Sequence, residues 1–252
     1  MHESLRKAGF DPNQSRNEGG RWSGGGSAPP IGDHPPEWKR KVVRPEHWRE
    51  IKREIERRGD LSESERFAYS ETFAAEGGLG IDKSGAASGI HPDTYSRMRQ
   101  RAMQRGDVPD HLTPDHPSKL TTEQRVAFYK HYYDTEALHR AGGSAALNRI
   151  PDPYTASAVG DTVFRHGGGD DGNLVRDAAN DVINSLGPRE RAALGLEHLN
   201  GKGVLKPDDM RAIETIAGGE HSRTFRNRLS QRRINAKPKE PGRADHFRYR
   251  DK

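Results

Sequence analysis

Seven apolar residues, Leu174, Val175, Ala178, Ala179, Val182, Ile183 and Leu186, recur at the three- and four-residue steps that place them on one face of an α-helix. No stretch of the chain alternates apolar and polar residues over a useful strand length, and the punctuation is that of helices. Ser62 with Glu65 forms a capping box that opens a helix to about Ala75, which Gly77-Gly78 ends. A second helix is expected from Asp93 to about Gln104, and a third, capped by Thr121 or Thr122, to about Arg140. A fourth spans roughly 154–165, ahead of the 174–186 helix. Pro188 and Pro207 sit at first-turn positions of two more, and Ser222 is placed to cap a last one. The fold class this predicts is mainly α, one helical domain at about 61–234, with a loop over 79–90 that has room for a short β-hairpin.

Around that domain the composition changes. Residues 10–36 combine Gly-rich stretches with two Pro-Pro pairs and have little to bury, so residues 1–44 read as a disordered segment and linker. Part of this segment resembles one near the N-termini of many phage virion proteins. Residues 45–60 read as a charged satellite helix that docks through Trp48, Ile51 and Ile55. The charge is uneven: residues 61–220 carry 18 Lys+Arg against 24 Asp+Glu, whereas residues 221–252 carry 11 against 3. The basic balance therefore belongs to the ends, with 235–252 a flexible basic tail. There is no cysteine, which excludes a disulfide framework and thiolate metal ligation. No apolar run reaches a membrane span, and residues 1–30 lack the apolar stretch of a signal peptide. The expectation is a protein made in the cytoplasm that acts at the cell wall after release, or within a virion.

Glu76 is the residue on which a chemical reading turns. It stands where a helix gives way to Gly77-Gly78, followed by Asp82 and the Ser88-Gly89-Ile90 turn. A carboxyl group half-buried at a helix end suits proton donation to a leaving oxygen. A glycosidase needs such an acid, and an inverting one needs a second, ionised carboxylate to activate water. Gly77 and Gly78 remove side chains beside the carboxylate, so that a sugar chain can approach. Asp82 is placed to orient the attacking water and Ser88 to share it. An ordinary surface glutamate before a Gly-Gly helix stop is the alternative reading.

The segments Phe73-Ala74-Ala75-Glu76-Gly77-Gly78 and Gly89-Ile90 resemble the Glu-Gly-Gly and Gly-Ile signature of glycoside hydrolase family 108, the lysozyme-like peptidoglycan hydrolases of phages and bacteria. Leu120-Thr121-Thr122-Glu123 through Tyr132-Tyr133, Val159-Gly160-Asp161 through Gly167, and Gly201-Lys202-Gly203 through Pro207 resemble later segments of that family in the same order. The resemblance covers about 62–232. It implies a lysozyme-like helical fold, peptidoglycan glycan strands as partner, cleavage of their β-1,4 bonds, no cofactor and no metal, and Glu76 as the acid. The loop after Gly78 is shorter than the family's. It keeps Asp82 as its one acid and has no Thr, although Asp82 and Ser88 retain the Asp-x5-Thr spacing of related phage lysozymes with Ser for Thr.

Other residues carry less. Tyr132 and Tyr133 could line a sugar groove by stacking or belong to the core, and Asp161 could bind substrate or hold a loop by hydrogen bonds. The histidines show no zinc spacing, and Gly167 to Gly172 lacks the acids of a calcium loop and reads as a linker. Two further readings stay open. One is a catalytically inactive virion structural or packaging protein with the same fold, contacting other virion proteins. The other is a polyanion- or nucleic-acid-binding protein using the basic residues of 221–252.

Overall fold

The computed structural model describes residues 28–36, 43–166 and 171–236. The expectations for residues 1–27, for the 167–170 linker and for the tail from Lys237 onward fall outside the described residues. Within them the chain is mainly helical, as the periodicity predicts.

Helix α1 (Pro45–Arg57) buries Trp48, Ile51 and Ile55 against the domain, the stripe expected of it. Residues 28–36, read from composition as disordered, instead pack here. Ile31 is buried, Trp48 Nε1 donates to the Gly32 carbonyl at 2.9 Å, and Lys52 pairs with Asp33 at 2.7 Å. Three buried residues, Ala28, Ile31 and Pro35, with the indole hydrogen bond and the Lys52 pair, seat a segment whose composition argues for disorder.

Helix α2 (Glu63–Ala75) is the centre of the domain. Its capping box forms as expected, with Ser62 Oγ accepting from Glu65 N–H and Glu65 accepting from Ser62 N–H. It is buried on nearly every face, through Phe67, Ala68, Tyr69, Phe73, Ala74 and Ala75 among others, as a helix surrounded by other helices must be. Its main partner is α5 (Pro153–His166), and α1 flanks it. Helix α3 (Pro92–Arg105) ends at Gly106 in the left-handed region.

Helix α4 (Thr122–Tyr132) is capped by Thr121 with Gln124. It stops well before Arg140, the end expected from the sequence. A π turn over Tyr133–Ala137 follows, then short three-ten turns over His139–Ala141 and Gly143–Arg149. The cause lies ten residues on: Asp134 Oδ1 accepts from Ser144 N–H at 2.7 Å, and Gly142 and Gly143 take positive φ, folding the chain back onto the helix end. Tyr132 and Tyr133 are both buried, and Tyr133 Oη donates to the Gly160 carbonyl at 3.0 Å. They belong to the core and not to a groove wall. Stacked rings tie α2, α4 and α5 together: Tyr69 on Tyr133 at 5.4 Å, Phe73 on Tyr129 at 4.4 Å and Tyr129 on Phe164 at 4.3 Å.

Helix α6 (Asp171–Ser185) buries Val175, Ala178, Ala179, Val182 and Ile183 of the stripe that defines it, and packs on α9 (Ser222–Asn235). Helices α7 (Pro188–Leu194) and α8 (Pro207–Ala217) both begin with proline at the first turn. Arg176 and Asp209 join α6 to α8 as a fully buried pair at 2.9 Å. Ser222 does not cap α9 with its side chain; its hydroxyl donates to Asp152, which also receives Arg226.

One part of this packing is sensitive to acid. His111, in the turn after α3, lies against His131 of α4 with ring centroids 4.9 Å apart, and its Nε2 is buried without a hydrogen-bond partner. Burial, then His131 and Arg58, push His111 down to about 4 against the opposing pull of Asp110, and burial and Arg105 also lower His131. Because the unfolded histidines bind protons more tightly, the stability they contribute is complete above about pH 6.5 and is lost as pH falls through about 4. After allowance for their partial exposure, wild type is expected to lose about 1–2 kcal/mol more than His111→Leu between pH 7 and pH 4.5. Urea unfolding at the two pH values measures this.

Candidate active site

Helix α2 ends in a Schellman arrangement: Gly78 N–H donates to the Phe73 carbonyl at 2.8 Å and Gly77 N–H to that of Ala74 at 3.2 Å, with Gly77 at φ 83°. Glu76 is thereby the last residue before the turn, and its side chain is 20% exposed. A negative charge at a helix C-terminus opposes the helix dipole. Arg165 compensates, its Nη2 lying 3.1 Å from Glu76 Oε1. Arg165 itself stands on the last turn of α5, where a cation matches the dipole, so the packing of α2 on α5 brings the two ends together.

Arg165 is held in turn. Its Nε donates to Asp161 Oδ1 at 2.9 Å, one helical turn earlier, and Asp161 Oδ2 accepts from Arg233 Nη2 of α9 at 2.8 Å. Burial pushes Asp161 up, but Arg165 and Arg233 outweigh it and keep its carboxyl below the usual range. Asp161 is thus an anchor for Arg165, and the groups it holds are arginines of two helices and not the loop expected of it. Glu76, Arg165, Asp161 and Arg233 form a line of alternating charge across α2, α5 and α9. The i,i+4 spacing of Asp161 and Arg165 was visible in the sequence, whereas nothing there points to Arg233.

Asp82 stands in the exposed part of the following loop. Its Oδ1 accepts from Ser84 N–H at 2.8 Å, Ser84 Oγ at 2.6 Å and Ala86 N–H at 3.0 Å. The loop contains no strand pair, only isolated bridges joining Ile81 to Ala87 and Ala87 to Ile90, so the expected hairpin is reduced to these contacts. Ser88 has φ 51° and is fully buried, and its Oγ accepts from Arg125 Nη1 at 2.8 Å. A hydroxyl so placed is closed off from cleft water, which removes Ser88 from the water-positioning role. The next residue is the informative one. A Cβ on Gly89 would stand 2.5 Å from Glu76 Cγ and 2.6 Å from its Oε2. The Gly89 backbone, at φ 73°, therefore lies directly on the Glu76 carboxyl group.

A second carboxyl of the region escaped the sequence reading. Glu71, one turn and a half before Glu76 on α2, is pushed up to about 7 by burial and by the nearby charge of Asp161. No sequence signal marks it, since the cause is the packing of α5. A folded-state value raised from the ordinary 4.5 means that stability is complete below about pH 4.5 and is lost as pH rises through about 7. Glu71→Gln is therefore expected to be more stable than wild type at pH 8 by about 1–3 kcal/mol and equal to it near pH 4.5, as thermal melts at both pH values would show.

In the described part of the basic C-terminal region, several of the cations are already paired within the domain. Within α9, Arg226 pairs with Asp152, Arg232 with Asp181 and Arg233 with Asp161, while Arg223 and Arg228 are exposed. Among the described residues the one group with metal-ligating geometry is Glu190, Glu220 and His221, on the surface between α7 and α9 and remote in sequence from Glu76. No helix among the described residues is long and apolar enough to cross a membrane.

No family model, no curated protein and no solved structure matches the chain.

Proposed function

We propose that the protein is a glycosidase that cleaves β-1,4 bonds of peptidoglycan glycan strands, with Glu76 as the general acid. The observation that carries this reading is the Glu76 carboxyl itself. It is partly exposed at a helix end and faced by a residue without a side chain. Glu76 would donate its proton to the glycosidic oxygen as the bond breaks. Arg165, fixed by Asp161, is the counter-charge of the carboxylate that remains, so each turnover requires Glu76 to be protonated against that ion pair. Asp82 would orient the attacking water through Oδ2, to which no described residue donates. The assignment predicts that wild type clears a suspension of purified cell walls and that Glu76→Gln does not; equal clearing by both sinks it.

The burial of Ser88 favours a second reading, a catalytically inactive virion structural or packaging protein that keeps this fold. Wild type that releases no fragment from purified walls, yet is present in stoichiometric copies in virus particles, would establish that reading over the first.

A further inference from the structure

Arg125 is buried, with 6% of its surface exposed, and among the described residues no carboxylate lies within ion-pair distance of it. The Tyr129 hydroxyl and, more weakly, the Glu50 carboxylate oppose that burial, and Glu50 accepts instead from Thr122. Burial lowers the Arg125 pKa, the sign of a cation held out of water without a matching anion. Such a placement is unfavourable unless the guanidinium's geometry is needed.

Its hydrogen bonds show the need. Nη1 donates to the Leu79 carbonyl at 3.0 Å and to Ser88 Oγ at 2.8 Å, and Nε donates to the Leu120 carbonyl at 3.2 Å. Leu79 and Ser88 are the two ends of the loop that begins after Glu76-Gly77-Gly78 and returns at Gly89. Tyr129, one turn further along α4, donates its hydroxyl to the Ser88 carbonyl at 2.7 Å, and Ser88 N–H donates to the Gly80 carbonyl at 3.0 Å. The loop has no ladder of its own, and residues 81–84 are exposed. Besides these few internal bonds, what ties both ends of the loop to the rest of the domain is a clasp supplied from α4.

We propose that Arg125 is a positioning residue that clamps the base of the 79–90 loop and so sets the Gly89 backbone against the Glu76 carboxyl group. It acts through Ser88, at φ 51°, and Gly89, at φ 73°. Two successive left-handed residues would not hold this path unaided, since Ser88 carries a side chain. One nitrogen, Nη1, satisfies both ends of the loop, and what arginine adds over lysine is Nε, whose bond to the Leu120 carbonyl at 3.2 Å fixes the plane of the guanidinium and so the direction of Nη1. The role in catalysis rests on the proposed function; the role in closing the loop does not.

Hydrogen exchange at the amides of Asp82, Ala87, Ser88 and Ile90, which donate within the loop, separates the two. In Arg125→Met and Arg125→Lys these amides are expected to exchange on the order of tenfold faster or more, while amides of α6 and α9 keep their rates. Ser88→Ala, which removes one acceptor and leaves the guanidinium in place, is expected to give a smaller increase at the same amides, and it serves as the test if the Arg125 variants do not fold. Wild-type protection in Arg125→Lys would show that charge alone suffices, and unchanged loop protection in Arg125→Met or in Ser88→Ala would overturn the clamp. If wild type releases wall fragments, Arg125→Lys is expected to lower kcat with little change in KM, because Glu76 and its Arg165 tether remain. Wild type without activity would refute the glycosidase reading and leave the exchange result standing.

Discussion

Glu76→Gln is expected to lower the release of wall fragments by at least about a hundredfold, the scale on which a positioned general acid contributes. The substitution keeps the shape of the side chain and removes the proton donor. Its effect on folding is expected to be small, within about 1 kcal/mol. The lost ion pair with Arg165 is partly exposed, and removing a negative charge from the C-terminus of α2 relieves an unfavourable dipole contact. Arg165 keeps its second partner, Asp161, at 2.9 Å, so no buried cation is stranded. Thermal melts together with fragment release separate the two effects: lost activity at an unchanged melting temperature is the predicted pattern.

Gly89→Ala is expected to lower activity nearly as much by a different route. The added methyl group would meet Glu76 Cγ, Cδ and Oε2 at 2.5–2.6 Å, so the carboxyl must move aside. A displacement of about 1 Å at a reacting group lowers rate on the order of a hundredfold. The left-handed backbone adds about 1–2 kcal/mol of instability, because alanine is strained there. Gly106→Ala provides the control. Gly106 has φ 72°, nearly that of Gly89 at φ 73°, but a Cβ there meets nothing within 4 Å. Gly106→Ala is expected to lose similar stability from the backbone and to keep wild-type activity. Equal activity in the two variants would show that Gly89 matters for its conformation alone.

Much of the helical framework was legible because its signals are local. The Ser62-Glu65 box, the Gly77-Gly78 stop, the first-turn prolines and the 174–186 stripe each depend on a few neighbouring residues, and each marks a helix boundary or face in the structure. The end of α4 was not legible. Phe128 to Tyr133 continue a helical pattern, and the break at Tyr133 depends on the Asp134 carboxylate reaching Ser144, ten residues away. The packing of residues 28–36 escaped notice for the same reason, since it depends on where Trp48 stands after α1 has docked.

The candidate site divides along the same line. Glu76 was marked by its turn, but its partner Arg165 comes from the crossing of α2 and α5, and Arg233 from α9 beyond that. Ser88 keeps the lysozyme-like spacing from Asp82, yet spacing along a chain does not say which way a hydroxyl faces. Burial beneath Arg125 and Tyr129 gives it a different task. The basic composition of the C-terminal region likewise concealed the carboxylates that α9 would find within the domain.

The most direct test is the chemistry of the ends produced. Purified peptidoglycan incubated with wild type and with Glu76→Gln, then reduced and analysed by mass spectrometry, reports which bond is cut. Glu76 as the acid of a β-1,4 glycosidase predicts fragments with N-acetylmuramic acid at new reducing ends from wild type and none from the variant. No new reducing ends from wild type, or the same fragments from both proteins, would contradict it.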